Sequence, residues 1–188
     1  MKRLQVLVIA GALAAAAPAA ADTIFSNLGS SPDLYNQFTG WTISGPDSAI
    51  GGPFSHSESF TVSGTYLLSQ IDLGLGFVNG TNSAVVSLWD GATELGSWNV
   101  SNQPDFATTS SILTTINVSG ITLGTGTYTI TVSAGGHDTW DAWNWVVNGD
   151  AGAYDVMGSQ VAVPEPGTLA LLGVGLAAFA GFRRRKAS

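Results

Sequence analysis

From Gly126 to Ala134 the chain alternates without a break, with Tyr128, Ile130 and Val132 falling on one side and Thr127, Thr129 and Thr131 on the other. A period of two is the repeat of a β-strand with one buried face, and it cannot be laid on a helix without scattering the apolar residues around the axis. The same rhythm recurs along the chain. Leu67–Phe77 reads as one strand with Leu67, Ile71, Leu73, Leu75 and Phe77 inward. Val86 and Leu88 form an inward pair before an Asp90-Gly91 turn, after which Glu94–Val100 returns as a hairpin partner. Further strands are expected at Thr23–Leu28, Trp41–Ser44, Phe54–Val62, Ser111–Val118 and Thr139–Val147. No segment here carries a helical period. Eight to ten short strands between Gly, Asn, Asp and Pro punctuation predict an all-β fold over residues 22–160, a β-sandwich or jelly-roll-like domain.

The chain has no Cys, which removes disulfides, thiolate metal sites and Cys nucleophiles together. Its stability must come from burial, and about 140 residues suffice for one core. Charge is segregated. All six basic residues lie at the ends, as Lys2, Arg3, Arg183, Arg184, Arg185 and Lys186. Between Asp22 and Val163 there are twelve Asp or Glu and no Lys or Arg, a formal charge of −12 with His neutral. Phosphate recognition needs cations, so nucleic acid is excluded as a partner of the body, and no internal salt bridge is expected.

The ends read as addresses. Residues 1–21 combine Lys2 and Arg3, an apolar run from Leu4 to Ala17 and the small residues Ala19-Ala20-Ala21, the three-part layout of a signal peptide cleaved before Asp22. Residues 161–188 place Pro164-Glu165-Pro166 before an apolar run, Gly167–Phe182, and a basic stop, Arg183–Lys186. Sixteen helical residues span about 24 Å, short of a hydrocarbon core of about 30 Å, so the single C-terminal transmembrane helix expected here is a short one. Basic residues stay cytoplasmic, which puts the body on the far side of the inner membrane.

In this order the three parts of the tail resemble the PEP-CTERM sorting signal of Gram-negative bacteria. The resemblance implies that exosortase, a membrane-embedded transpeptidase-like enzyme, recognises Pro164, Glu165 and Pro166 and processes the tail. It further implies export to the cell envelope, cell surface or extracellular matrix. The body carries a second resemblance. Gly40–Pro46 (GWTISGP), Ser59–Val62 (SFTV), Ile71–Asn82 (IDLGLGFVNGTN) and Trp140–Trp145 (WDAWNW) together resemble a choice-of-anchor domain of the R type, which implies an extracellular β domain with no catalytic residues to carry over.

The segment from His137 to Trp145 has the most unusual local composition. As a strand it would put Asp141, Trp143 and Trp145 on one face and Trp140 and Asn144 on the other. Exposed indoles beside Asp and Asn would suit a sugar, the ring stacking on C–H groups while polar atoms bond hydroxyls, and exopolysaccharide is the ligand this implies. The alternative is that these Trp residues are core. Acidic side chains also raise the expectation of calcium as a cofactor, held by Asp138, Asp141, Asp150 and Asp155. Catalysis has little support: His56 and Glu58 share a strand face, but no nucleophile, zinc pair or Gly-x-Ser-x-Gly elbow accompanies them, and the chain reads as a non-enzyme.

Overall fold

The computed structural model describes residues 21–108 and 111–161. The signal peptide (apart from Ala21) and the sorting tail expected from 162 onward lie outside the described residues. Twelve strands are found there: β1 Asp22–Ser26, β2 Gly40–Ser44, β3 His56–Val62, β4 Tyr66–Leu73, β5 Leu75–Asn79, β6 Ser83–Asp90, β7 Thr93–Ser101, β8 Thr114–Asn117, β9 Thr122–Leu123, β10 Gly126–Ala134, β11 Trp140–Asn144 and β12 Tyr154–Gln160. All named pairings are antiparallel. The all-β expectation holds.

Three sheets form. One runs β1-β12-β4-β8, with β9 also on β4, a second β3-β10-β6-β7, and a third β2-β11-β5. They share one core. Phe60, Tyr128, Ile130 and Val86 of the second sheet join Leu68, Ile71, Tyr154 and Val156 of the first and Ile43, Leu75 and Trp143 of the third. Phe25 of β1 stacks on Tyr154 at 4.9 Å between centroids and lies 5.8 Å from Phe60, so rings from opposite sheets meet. The alternation expected of residues 126–134 is the observed one: Tyr128, Ile130 and Val132 are buried. The hairpin at Asp90-Gly91 also forms, with Gly91 at a φ of +56°, where a Cβ would be strained.

The segment Leu67–Phe77 departs from expectation twice. Leu67 is 47% exposed and Leu68 takes its place in the core. Gly158 pairs with Leu68 but Met157 with Gln70, so Ser69 is an extra residue in β4, and this bulge shifts the facing of everything before it. Then Gly74 ends β4 and the chain passes into another sheet as β5. Gly74 donates to Ala153 O (3.0 Å) and accepts from Asn144 N (2.8 Å), which stitches the two sheets at the crossing.

β12 was not anticipated. It closes the first sheet by pairing with β1 and β4, and sets Asp22 opposite Gly158. The chain therefore enters and leaves the body side by side, while the third sheet is reached from the opposite end of β4.

Candidate functional site

The Trp-rich segment becomes β11, the central strand of the third sheet, and its two faces have different fates. Asp141 and Trp143 point inward and have no exposed surface. Trp143 donates its Nε1–H to Ala153 O at 3.0 Å and lies over Gly152, where an added Cβ would be 2.5 Å from the ring. Trp143 is thus a core residue. Asn144 is buried as well, and its Nδ2 donates to Asn36 O at 3.0 Å. Of the five residues expected to meet a sugar, Asp141, Trp143 and Asn144 are closed off from solvent. An indole with no exposed face has nothing to stack on a ligand.

Trp140 and Trp145 remain, and they come together differently from the strand pattern. β11 ends at Asn144. Trp145 turns off the strand, its backbone N–H donating to Thr39 O at 3.0 Å and its backbone bridging Gly152, so its ring joins Trp140 instead of Trp143. Both line an open groove of about 300 Å³ on the outer face of the third sheet. Phe38 and Thr39, which precede β2, form one wall, Phe106 forms another, and Thr42 and Ala142 lie along the strands. Phe38 is 62% exposed. Backbone bonds set the walls: Phe106 N to Phe77 O (2.7 Å), Ala107 N to Gln37 O (3.0 Å) and Asn36 N to Trp145 O (2.8 Å).

No charged side chain lines this groove. Two of its polar atoms, Thr39 Oγ1 and Trp145 Nε1, are buried and have no hydrogen-bond partner among the described residues. Unpaired buried polar groups are rare enough to need an explanation, and a ligand carrying hydroxyls would supply both partners. Phe38, Thr39, Thr42 and Phe106 were invisible to local pattern, because only tertiary structure brings the 36–39 and 104–107 segments beside β11. A half-signal existed in Phe38-Thr39-Gly40, an aromatic and a hydroxyl at the entry to a strand.

Behind the groove, on the inner side, an aromatic clasp holds the Trp loop. The Trp41 and His56 rings stack at 4.3 Å, Trp145 meets Trp41 edge-on at 5.7 Å, and His56 meets Trp143 edge-on at 5.9 Å. The His56 Nε2 and Glu58 Oε1 atoms are 2.8 Å apart, and Glu58 Oε1 also accepts the Gly152 N–H at 2.9 Å. Trp41 Nε1 donates to Asp150 O at 2.7 Å. His56 and Glu58 do share a face as expected, and a second pair joins His137 to Asp47 at 3.3 Å. The expectation that no internal ion pair forms is thus corrected: each His supplies a cation when protonated. Burial, with the Glu58 charge second, pushes the Tyr154 hydroxyl above its usual range.

The four acids expected to hold calcium are not gathered. Asp138 is exposed and accepts from Thr81 Oγ1 at 2.6 Å, a bond that holds its carboxyl below the usual range. Asp141 is in the core, Asp150 is on the exposed loop after β11, and Asp155 pairs with Asp72 in the first sheet. Among the described residues no three acidic or His side chains converge on a point where an ion could sit. Acids spread along alternating strands face opposite sides of a sheet, so abundance did not become convergence.

Comparison with known families resolves the tail. Residues 162–186 match the PEP-CTERM protein-sorting motif. The match includes Pro164, Glu165 and Pro166 and the basic Arg183–Lys186, all outside the described residues. A PEP-CTERM motif implies exosortase-dependent sorting of an exported bacterial protein to the cell envelope. It covers the tail alone and leaves the β body unassigned. No curated protein matches the chain.

Proposed function

We propose that this chain is a structural or interaction protein of the cell envelope or extracellular matrix of a Gram-negative bacterium. In this reading residues 1–21 direct export, the segment 167–182 holds the precursor in the inner membrane, and exosortase releases or transfers the body at Pro164–Pro166. The observation that carries it is the PEP-CTERM match beginning one residue after the last described residue of an all-β acidic body. The resemblance of that body to a sandwich-type choice-of-anchor domain supports the same role. No catalytic step enters the reading, since His56 and Glu58 are engaged with each other and with the Gly152 amide. Intact-mass measurement on the native protein tests it. We expect a mature chain starting at Asp22 and ending near Pro164–Pro166 in the envelope or culture fluid. A cytoplasmic chain running from Met1 to Ser188 would refute the proposal.

A second reading is favoured by the groove. Aromatic rings from Phe38, Phe106, Trp140 and Trp145, with unpaired hydrogen-bonding atoms among them, support carbohydrate binding as the body's role in the matrix. Retention of the native protein on exopolysaccharide from the producing strain, lost on Trp140→Ala with the fold intact, is the expected result. Equal retention of the variant would remove the groove from this role.

A further inference from the structure

We infer that the groove over β2-β11-β5 takes an uncharged glycan chain and discriminates against acidic polysaccharides, an inference that rests on the carbohydrate reading. The argument begins with charge. Twelve carboxylates with no Lys or Arg surround a groove whose own lining is neutral. A polyanion approaching it meets net repulsion and finds no cation in the groove to offset its lost hydration. A neutral sugar meets neither penalty.

The polar atoms point the same way. Trp145 Nε1 is a donor only, and Thr39 Oγ1 can donate or accept. A sugar hydroxyl accepts from the indole and serves either role with the threonine. An apolar peptide or a lipid chain would cover the rings but leave both atoms unpaired, the costly outcome for a closed contact. The rings supply the apolar half: Trp140 and Trp145 are five residues apart, about 16 Å along an extended chain, and Phe38 stands exposed between β2 and solvent. That length suits a short internal stretch of polymer, and the open ends of the groove let the chain run on.

The native secreted protein is tested by affinity electrophoresis through gels holding either a neutral polysaccharide (dextran, mixed-linkage β-glucan, galactomannan or xyloglucan) or an acidic one (alginate or polygalacturonate), at about 0.15 M salt. We expect retardation by at least one neutral polymer and by neither acidic one. Trp140→Ala and Phe38→Ala weaken binding by roughly tenfold or more, whereas Phe54→Ala, an exposed ring outside this groove, leaves it unchanged. Near-ultraviolet circular dichroism and melting temperature verify that each variant is folded. Retardation by an acidic polymer that Trp140→Ala abolishes overturns the neutral specificity but keeps the carbohydrate reading. No retardation by any of the six overturns both. Loss of self-association in folded Trp140→Ala, seen by sedimentation without glycan binding, assigns the groove to a second copy of the chain and likewise overturns both.

Discussion

Asp141 is the residue whose chemistry is most at odds with its position. It lies wholly buried on β11 opposite Ile43, and neither carboxylate oxygen has a partner among the described residues. Burial pushes its carboxyl up to about 7, so near neutrality the folded body holds it about half protonated, whereas the unfolded chain ionises it near 3.8. The sign follows directly. Stability is highest below about 4, falls as pH rises toward 7, and levels off above that, by an order of 2–4 kcal/mol in all. Asp155 adds to the same trend, since burial and then the facing Asp72 charge raise its carboxyl too. We therefore expect urea unfolding to show a body more stable at pH 5 than at pH 8. Asp141→Asn should raise stability at pH 8 by about 2–4 kcal/mol and flatten most of the profile. A profile unchanged by that substitution would show that Asp141 is not the buried acid responsible.

Trp143 and Trp140 make the complementary case. They occupy one strand three residues apart, yet Trp143→Ala should cost about 3–5 kcal/mol, because it empties a fully buried site, while Trp140→Ala should stay within about 1 kcal/mol. Equilibrium unfolding of the two variants reads that difference. Sequence pattern correctly separated positions 140 and 143 onto opposite faces, but it could not say which face was wet. A sheet with residues on both sides offers two surfaces, and only the rest of the fold chooses between them.

At the scale of elements, strand periodicity was legible wherever a strand ran straight. β10, the β6–β7 hairpin and the short β2 follow directly from alternation and turn residues. It failed where backbone geometry, and not side-chain order, makes the structure. The bulge at Ser69 is held by its hydroxyl, which donates to Met157 O at 3.2 Å, and by its carbonyl, which accepts from Val118 N at 2.8 Å. Neither bond leaves a trace in hydropathy. β12 was missed because Asp155 and Gly158 interrupt an otherwise ordinary alternation of Tyr154 and Val156.

Gly74 is the junction where β4 becomes β5, and a Cβ there would sit 2.9 Å from the Tyr35 ring. That ring is fixed, because Tyr35 is buried and its hydroxyl donates to Ile112 O at 2.8 Å. Gly74→Ala should therefore cost about 1–3 kcal/mol and loosen the third sheet before the other two. Hydrogen exchange tests this: amides of β11 and β5 should lose protection ahead of those of β10. Uniform loss across all three sheets would mean that the crossing transmits no local weakness.

The whole molecule is a polyanion whose only internal cations are two histidines, each already beside a carboxylate. Self-repulsion opposes the compact state, and mobile ions screen it over about 10 Å at 0.1 M. Raising sodium chloride from about 0.01 M to 0.2 M should then lift the melting temperature by a few degrees, the shift that about 1 kcal/mol produces in a body of this size. Divalent ions screen more strongly, but screening does not tell one from another. Calcium coordination would, since it needs several oxygens at one point, and among the described residues Asp138, Asp141, Asp150 and Asp155 do not provide one. At equal ionic strength calcium and magnesium should accordingly raise the melting temperature of the native protein by the same amount, and a chelator should remove that increment and no more. A rise confined to calcium would mean that the acids gather in solution, and that cation binding, not diffuse screening, holds this negatively charged body together.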